Sequence, residues 1–364
     1  MRVSFAQLFP PPRFLAMPSV GIDVSDTSVK FVELIHGKKG TEVGRFGEMS
    51  IPEGVVTSGK ITDPDGLVAV LTQLRQEHNI RFVRATLPEE QGYLFETTIS
   101  SDADDVKTAI EFVLEENVPL TPSEAVIGYD LVGAPKKRGD RRAVVSVFPY
   151  ESADRYAGLF HRAGLVPLSL EIEPQAIARA VLDPAATGST CIVDIGRGRS
   201  GLALASGRFV RFATTLSTGG DAVTEAIQAA TPEATPEEIV AIKNDKGVSY
   251  LKQHGTDALE PVTTLAGEIL RYITYWNTHD DTVAGHRAPV SKVILCGGNA
   301  NIAGLPEMLA QQLKVPTSRA NVWRNILSLD TEIPPIHFRD SLGFAPAIGL
   351  ALRSVSNTDP LFFN

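Results

Sequence analysis

The sequence predicts a two-lobed α/β protein, because strand-rich stretches alternate with helical ones along most of its 364 residues. A second observation favours two similar lobes. Two strand–turn–strand units lie about 171 residues apart, and each carries one acidic residue near the end of its first strand, Asp23 or Asp194. A duplicated α/β lobe with one such hairpin in each copy is the simplest explanation of this pattern.

The composition is that of an ordinary globular chain, with 43% hydrophobic and 21% charged residues. The net charge of −9 argues against a general nucleic-acid-binding protein. Two cysteines, Cys191 and Cys296, cannot form a disulfide framework or a cysteine zinc site, which fits a reducing compartment. No apolar run reaches the roughly 20 residues that a membrane-spanning helix requires. No catalytic Ser/His/Asp or zinc constellation is evident.

The first 18 residues form a separate arm, in which three consecutive prolines and Arg13 interrupt an apolar stretch. This interruption argues against a secretory signal. Two interpretations stay open for the arm. It is either a leader that precedes a true start at Met17, or a segment that docks on a partner or a membrane surface.

The first lobe begins with a predicted β-hairpin. Apolar alternation over 19–24 indicates the first strand, the polar residues 25–28 form the turn, and 29–35 form the second strand. Apolar residues at helical spacing then predict a helix over 63–79, and a strand follows over 82–87.

Residues 96–168 predict a compact inserted module of the order strand, helix, strand, strand, helix. The side chains predicted to face inward from the helix over 104–117 are Val106, Ile110, Phe112 and Val113. The basic loop over 136–142 is interpreted as a solvated hairpin turn, with contact to an acidic partner as the alternative.

The second lobe repeats the strand pattern of the first. Its predicted strands and helices lie at 191–195, 200–205, 208–214, 220–279, 293–296, near 305 and at 345–355.

Both hairpin turns have the composition of an anion-binding site. Backbone N–H groups in a tight polar turn form a concavity that binds anions. The short hydroxyl side chains that add donors there are Ser25, Thr27, Ser28 and Ser200. Asp23 and Asp194 suit a hydrated Mg²⁺, which prefers one or two carboxylates together with water and phosphate. A single turn of this kind is common, but the pair predicts a phosphate chain held between two lobes.

A third turn, Gly297-Gly298-Asn299, follows an apolar strand and precedes a helix. Glycine at such a turn lets a flat ring approach the backbone closely. The turn therefore fits a nucleotide base, and a plain strand-to-helix connection is the alternative interpretation.

The order of these segments resembles the actin-like ATPase superfamily, which includes actin, sugar kinases and FtsA. Residues 23–30 are similar to its first phosphate motif, 194–200 to its second and 293–305 to its adenosine motif. Residues 173–176 and 342–351 resemble its two connecting helices. The resemblance covers residues 19–353 and implies an actin-like fold with two RNase H-like lobes.

Within this superfamily the chain is most similar to the PilM family of type IV pilus assembly proteins. The short sequence segments that show this similarity lie at 29–34, 87–91, 173–176 and 216–221. PilM and FtsA also carry an extra subdomain, called 1C, at the position of the inserted module.

The resemblance implies ATP and Mg²⁺ as ligands. The predicted cofactor-binding residues are Asp23, Ser25, Thr27, Ser28, Lys30, Asp194, Gly196, Gly198, Ser200, Gly219, Gly220, Gly297, Gly298 and Asn299. Asp23 and Asp194 would hold the metal through water, and Glu173 matches a superfamily position that orients water or metal. No further base is evident beside Glu173, which predicts slow hydrolysis at most.

The resemblance also divides the chain into subdomains. In chain order these are an N-terminal arm (1–18), 1A (19–95), 1C (96–168), a return to 1A (169–190), 2A (191–216), 2B (217–290), a return to 2A (291–340) and a C-terminal helix returning to the first lobe (341–364).

Two departures from the family pattern concern the phosphate turns. Ser25 stands where the family often has glycine, which makes the first turn less permissive. Arg197 and Arg199 in the second turn are bulky and positively charged. They either pair with phosphates or crowd the pocket, which puts turnover in doubt more than binding.

The implied function is a cytoplasmic ATP-binding scaffold, peripheral to the inner membrane. It would hold the N-terminal cytoplasmic tail of a PilN-like inner-membrane protein. The apolar residues between Phe82 and Phe95 predict a groove for that tail between the first lobe and the inserted module, and simple closure of that interface is the alternative. The resemblance also allows self-association.

Two other functions compete with the scaffold. An FtsA-like division protein that polymerises at the membrane is the main alternative, although residues 354–364 show no basic amphipathic helix. A metabolic kinase is the third interpretation, but no catalytic Asp stands out beyond Asp194 and Asp221.

Overall fold

The computed structural model describes residues 19–36, 40–100, 105–132, 140–279, 288–329 and 332–355. The predicted N-terminal arm, most of the basic loop and the end of the chain after residue 355 lie outside the described residues.

The predicted strands and helices are present in the predicted order, with ends that differ slightly from the predicted ones. The strands over 41–50, 56–57, 60–61, 166–172 and 317–319 were not predicted. The strands are β1 Val20–Val24, β2 Ser28–His36, β3 Thr41–Ser50, β4 Val56–Thr57, β5 Lys60–Ile61, β6 Phe82–Leu87, β7 Tyr93–Ile99, β8 Ala125–Val132, β9 Arg141–Pro149, β10 Val166–Ile172, β11 Ser189–Ile195, β12 Ser200–Ser206, β13 Phe209–Leu216, β14 Val290–Cys296 and β15 Thr317–Arg319. The helices are α1 Pro64–His78, α2 Val106–Asn117, α3 Tyr150–Arg162, α4 Glu173–Val181, α5 Gly220–Ala230, α6 Pro236–Asp245, α7 Gly247–Gln253, α8 Thr256–Thr278, α9 Leu305–Leu313, α10 Phe338–Ser341 and α11 Ala345–Val355.

The two lobes contain five-stranded sheets of the same design. The first has the order β10-β6-β1-β2-β3, and the second has the order β13-β12-β11-β14-β15. In each, the strand that carries the aspartate pairs antiparallel with the next strand of its hairpin, Asp23 lying opposite Lys30 and Asp194 opposite Gly201. Each also pairs in parallel with a later strand, β6 or β14. The predicted duplication of an α/β lobe is therefore confirmed.

Helices α4 and α11 pack against each other between the lobes, and their contact depends on glycine. A Cβ at Gly349 of α11 would lie 1.7 Å from the backbone oxygen of Ala176 in α4. On the other side of α11, a Cβ at Gly21 of β1 would lie 2.1 Å from the backbone oxygen of Ala347. These close approaches seat α11 in a hydrophobic core that includes residues of both lobes.

The inserted module has a sheet and a small core of its own. Its sheet has the order β7-β9-β8, and α2 covers it with Ile110 and Leu114. Phe112, predicted to face inward, is instead 81% exposed. At about 100° per residue, position 112 lies on the opposite side of the helix from Ile110, whereas position 114 returns to the same side.

Helix α3 behaves differently from the rest of the predicted module. Leu159 and Phe160 on its apolar face belong to the core of the first lobe, together with residues of β1, β6 and α1. The subdomain boundaries stay predictions, and α3 joins the first lobe by its packing. Among the helices that the structure describes, none combines the length and apolar character needed to cross a membrane.

Candidate functional site

A cleft of about 580 Å³ is lined by residues of both lobes. The predicted site residues that line it are Asp23, Ser25, Thr27, Lys30, Glu173, Asp194, Gly196, Gly198, Ser200, Gly297, Gly298 and Asn299. The structure thus brings together most of the residues that the sequence nominated, although they are spread over more than 270 positions of the chain.

Sheet topology explains why the acidic residues meet. Strands β1, β6 and β10 are parallel neighbours in the first sheet, so their carboxyl ends lie at one edge. Asp23 lies near the end of β1, Glu89 follows β6, and Glu173 follows β10 and begins α4. Asp194 occupies the equivalent end of β11 in the second sheet. Ligands of α/β sheets bind at this edge of the strands.

Burial and mutual repulsion perturb the acids on the floor of the cleft. Burial raises the pKa of Asp23, although the Thr86 hydroxyl, which donates to Asp23 Oδ1 at 2.8 Å, and the charge of Lys30 oppose this shift. Burial and the charge of Asp23 raise the pKa of Asp194 to about 6. Burial, followed by the charges of Asp23 and Asp194, raises the pKa of Glu173 well above its usual range. Burial and these charges therefore favour the protonated form of Glu173.

Glu89 is a cleft residue that the sequence analysis did not nominate. It lies on a single 3₁₀ turn after β6 and accepts a hydrogen bond from the Thr215 hydroxyl of the second lobe at 2.9 Å. Burial raises the pKa of Glu89 to about 7, and the charges of Glu90 and Asp194 add to the shift. The sequence Leu-Pro-Glu-Glu-Gln, which directly follows a predicted strand, could have identified Glu89 as a cleft residue, because residues at strand ends contact ligands in α/β folds.

The first phosphate turn is closed by its own serine. The Ser25 hydroxyl oxygen accepts hydrogen bonds from the backbone N–H groups of Thr27 at 3.4 Å and Ser28 at 3.1 Å. These are two of the donors that the sequence assigned to phosphate. The Ser25 side chain therefore occupies donors that a glycine at this position would leave available.

Lys30 is held at the edge of the same turn by two partners. Its ammonium donates to the Ser28 hydroxyl oxygen at 2.7 Å and pairs with Glu48 at 2.9 Å. Ser28 itself is buried and does not line the cleft.

The two arginines of the second turn have acidic partners in different lobes. Arg197 pairs with Asp221 of the same lobe at 3.5 Å. Arg199 pairs with Glu90 of the first lobe and lies 3.8 Å from Asp26 in the first phosphate turn.

Gly219 and Gly220 support the second turn from behind and do not line the cleft. A Cβ at Gly219 would lie 2.3 Å from the backbone oxygen of Arg197, and one at Gly220 would lie 2.1 Å from the side chain of Asn299. Both Gly220 N–H and the Asn299 amide donate to the backbone oxygen of Gly196, at 2.9 and 2.8 Å. These glycines are required for close packing of the turn.

The two glycines of the third turn have different surroundings: Gly297 is closely packed, and Gly298 faces the cleft. Gly297 adopts a φ of +84°, and a Cβ there would lie 2.3 Å from Asp194 Oδ1. A Cβ at Gly298 would instead meet no atom within 4 Å. Gly298 lines the cleft, so open space lies in front of it.

Three further residues at this end of the cleft were absent from the sequence prediction, namely Asn244, Asn301 and Arg339. The Asn301 amide donates to the backbone oxygen of Arg339 at 2.8 Å, and Arg339 pairs with Asp245 at 3.6 Å. Asn244 lies on helix α6 and Arg339 on helix α10. No local sequence pattern indicates that these two residues meet at the cleft.

The acids of the cleft suit a hydrated divalent cation. Among the described residues, no group of three or more His, Cys, Asp or Glu side chains is arranged to hold a metal ion directly. Mg²⁺ needs only one or two carboxylates when water and phosphate supply its other ligands. Because the charge of Asp23 raises the pKa of both Glu173 and Asp194, a cation between them would offset their repulsion.

Comparison with known proteins agrees with this architecture. The family model described as type IV pilus assembly protein PilM matches residues 21–355. The chain belongs to the PilM family. This membership confirms the resemblance drawn from the sequence.

Solved structures show the same fold. A structure of the PilM-PilN type IV pilus biogenesis complex matches with a TM-score of 0.72 and 21% identity, over 94% of this chain and 99% of that one. The ethanolamine utilization protein EutJ from Carboxydothermus hydrogenoformans matches with a TM-score of 0.52 and 17% identity, over 94% and 90% of the two chains. MreB 5 of Spiroplasma citri bound to AMPPNP matches with a TM-score of 0.52 and 11% identity, over 92% and 95%. The predicted actin-like ATPase fold is confirmed.

Proposed function

We propose that this PilM family member binds ATP with Mg²⁺ in the cleft between its lobes and serves as a scaffold for the cytoplasmic tail of a PilN-like membrane protein. The observation that carries the nucleotide part is the convergence of two duplicated hairpin turns on one cleft floored by carboxyl groups. The similar fold solved with AMPPNP supports the choice of ligand.

Each part of the cleft has a role in this proposal. Asp23 and Asp194 hold the waters of Mg²⁺, which when bound neutralises phosphate charge. Backbone N–H groups of Gly196 and Gly198 serve the phosphates, whereas the N–H of Thr27 is occupied by the Ser25 side chain. Gly298 leaves room for the nucleoside, and Lys30 supplies positive charge beside the first turn.

Hydrolysis by this cleft is slow in our proposal. Attack by water needs a group that positions the water and accepts its proton. Glu173 is the predicted candidate, but burial and the charges of Asp23 and Asp194 raise the pKa of its carboxyl group. A raised pKa favours the protonated form, which cannot accept that proton, so we expect turnover below about 1 s⁻¹, the low end for ordinary enzymes.

The tail of the partner is the second ligand. The stretch between Phe82 and Phe95 offers less apolar surface than the sequence suggested, because Val83 and Leu87 are buried in the core. Tyr93 stays 36% exposed. At the opposite edge of the module's sheet, separated from Tyr93 by β9, strand β8 carries Val126, which is 43% exposed, and Leu131, which is 40% exposed.

An edge strand with exposed apolar side chains suits an extended peptide, because main-chain hydrogen bonds add affinity and alternate side chains give specificity. The solved complex of a PilM with a PilN supports a PilN-like tail as the occupant. We place the tail along the module's boundary with the first lobe. A protein with these two ligands would act in the cytoplasm, next to the inner membrane.

Calorimetry tests the nucleotide part. MgATP titrated into the full chain should bind, and Asp23→Ala should weaken binding at least tenfold because it removes a carboxylate that orients the waters of Mg²⁺. Glu260→Ala, which removes an exposed carboxylate far along the chain in α8, serves as the control. Absence of binding to the unmodified protein would contradict the proposal.

A further inference from the structure

Arg199 connects the two lobes at the mouth of the cleft. It lies between Gly198 and Ser200 in the second phosphate turn, and its guanidinium reaches the first lobe. One nitrogen bonds to Glu90 Oε1, and another lies 3.8 Å from Asp26 Oδ2. Side-chain exposure of 30% for both Arg199 and Glu90 leaves the pair within reach of a ligand that enters the cleft.

Asp26, one of the two acids that face Arg199, is fixed by the first lobe. Asp26 accepts hydrogen bonds from the backbone N–H groups of Ser58 at 3.0 Å and Gly59 at 2.9 Å, in the turn between β4 and β5. The Tyr156 hydroxyl donates to the backbone oxygen of Gly59 at 3.1 Å and so ties this turn to α3. Because these contacts hold Asp26 within the first lobe, Arg199 can exchange Asp26 for another anion without disturbing them.

Arg197 shows the contrast within the same turn. Its acidic partner, Asp221, belongs to the same lobe and follows the glycines that support the turn. Arg199 has its two acidic partners in the opposite lobe. Of the two arginines, Arg199 forms its ion pairs with the opposite lobe. These ion pairs therefore depend on the distance between the lobes and on the ligand between them.

We propose that Arg199 is a phosphate ligand of the nucleotide, which Glu90 and Asp26 hold back by competing for the same guanidinium. The inference rests on the proposed function, because it assumes that polyphosphate lies between the two turns. A guanidinium presents the same fork of donors to carboxylate and to phosphate, so the two bind in competition. The ion pair between the lobes is thus autoinhibitory toward nucleotide binding.

This competition has a consequence with a definite sign. Removing the charge of Glu90 frees Arg199 and should tighten MgATP binding. Removing Arg199 should weaken it, because phosphate loses a cation while the neighbouring acids keep their charge. General repulsion by Glu90 would also predict tighter binding, but it would act whether or not Arg199 is present.

A double-mutant cycle separates the two explanations. The dissociation constant for MgATP is measured by calorimetry for the unmodified chain, Glu90→Gln, Arg199→Gln and the double variant. We expect at least threefold tighter binding for Glu90→Gln, at least tenfold weaker binding for Arg199→Gln, and no benefit from Glu90→Gln in the Arg199→Gln background. Glu151→Gln and Arg155→Gln, which break an exposed ion pair of 3.0 Å on α3, are the matched controls and should leave binding unchanged.

The outcomes distinguish this inference from the proposed function. If the unmodified chain does not bind MgATP, the proposed function fails. If it binds and Glu90→Gln leaves affinity unchanged or weaker, or tightens it equally without Arg199, the inference is overturned while nucleotide binding stands. Circular dichroism of each variant verifies folding, and Arg199→Lys provides a second variant, expected to bind between the unmodified chain and Arg199→Gln.

Discussion

At the scale of single residues, the cleft is a cluster of acids whose charges are mutually unfavourable. Glu89, Glu173 and Asp194 all have raised pKa values, chiefly because of burial. A carboxyl group whose pKa is raised by folding stabilises the fold at low pH, and this contribution disappears as pH rises through the folded-state pKa. The cleft therefore favours the folded state less at pH 8 than at pH 5, unless a cation is present.

Glu89 gives the sharpest test of this pH dependence. Its pKa rises from the ordinary 4.5 to about 7, so the unmodified chain should lose up to about 3 kcal/mol of stability from this group between pH 5 and pH 8. Glu89→Gln removes the titration and should reduce the loss by that amount. Urea unfolding at the two pH values without Mg²⁺ measures it, with the exposed Glu260→Gln as control. Equal losses in the unmodified chain and in Glu89→Gln would contradict the assignment.

The sequence predicted those cleft residues that belong to a recognisable local motif. Asp23 and Asp194 were predictable because each stands near a strand end beside a polar turn. Glu89, Asn244 and Arg339 were missed because their place in the cleft comes from pairing of parallel strands and docking of distant helices. Gly219 and Gly220 were predicted to bind the cofactor but do not line the cleft, because glycine in a sequence does not distinguish room for a ligand from room for a neighbouring turn.

At the scale of elements, α4 and α11 connect the lobes and position Glu173. Gly349→Ala places a Cβ against the backbone of Ala176, which cannot move as a side chain would. We expect a loss of about 2 kcal/mol or more in the free energy of unfolding, from overpacking. Gly158→Ala in α3, where a Cβ has open space, is the control and should stabilise the chain by about 0.5–1 kcal/mol. Denaturant titration measures the free energy of unfolding of both variants. A Gly349→Ala variant as stable as the unmodified chain would refute this packing role.

The edge strand β8 carries the prediction for the partner. Val126→Lys puts a charge on the exposed edge that we assign to the tail, and should weaken binding of a labelled PilN-type tail peptide at least fivefold. Val240→Lys changes a valine of similar exposure on α6 in the other lobe and should have no effect. Fluorescence anisotropy measures both affinities. Equal weakening by the two variants, or none by Val126→Lys, would place the tail elsewhere.

Phe112 shows the limit of element-level prediction. Helical periodicity correctly placed Ile110 on the inner face, but hydrophobicity alone assigned Phe112 to the same face. The structure exposes it because the sheet covers only one side of α2. The neighbouring sheet determines which face of the helix is buried, and the sequence of the helix alone does not specify the position of that sheet.

At the scale of the whole molecule, the duplicated lobes were predictable and their connection was not. Two similar hairpins with one aspartate each indicated a repeated unit, and the matching strand orders of the two sheets confirm it. The ion pair between Arg199 and Glu90 and the hydrogen bond between Glu89 and Thr215 join residues more than 100 positions apart. Such contacts follow from how the lobes close on each other, which no local pattern encodes.

The central claim is that the two duplicated turns hold one nucleotide between them. Hydrogen–deuterium exchange of the full chain, with and without MgATP, tests it most directly. We predict slower exchange in residues 24–28 and 196–200 together, at the same nucleotide concentration, with no change in helix α2 of the inserted module. Slower exchange in one turn alone, or in neither, would contradict a nucleotide held between the lobes.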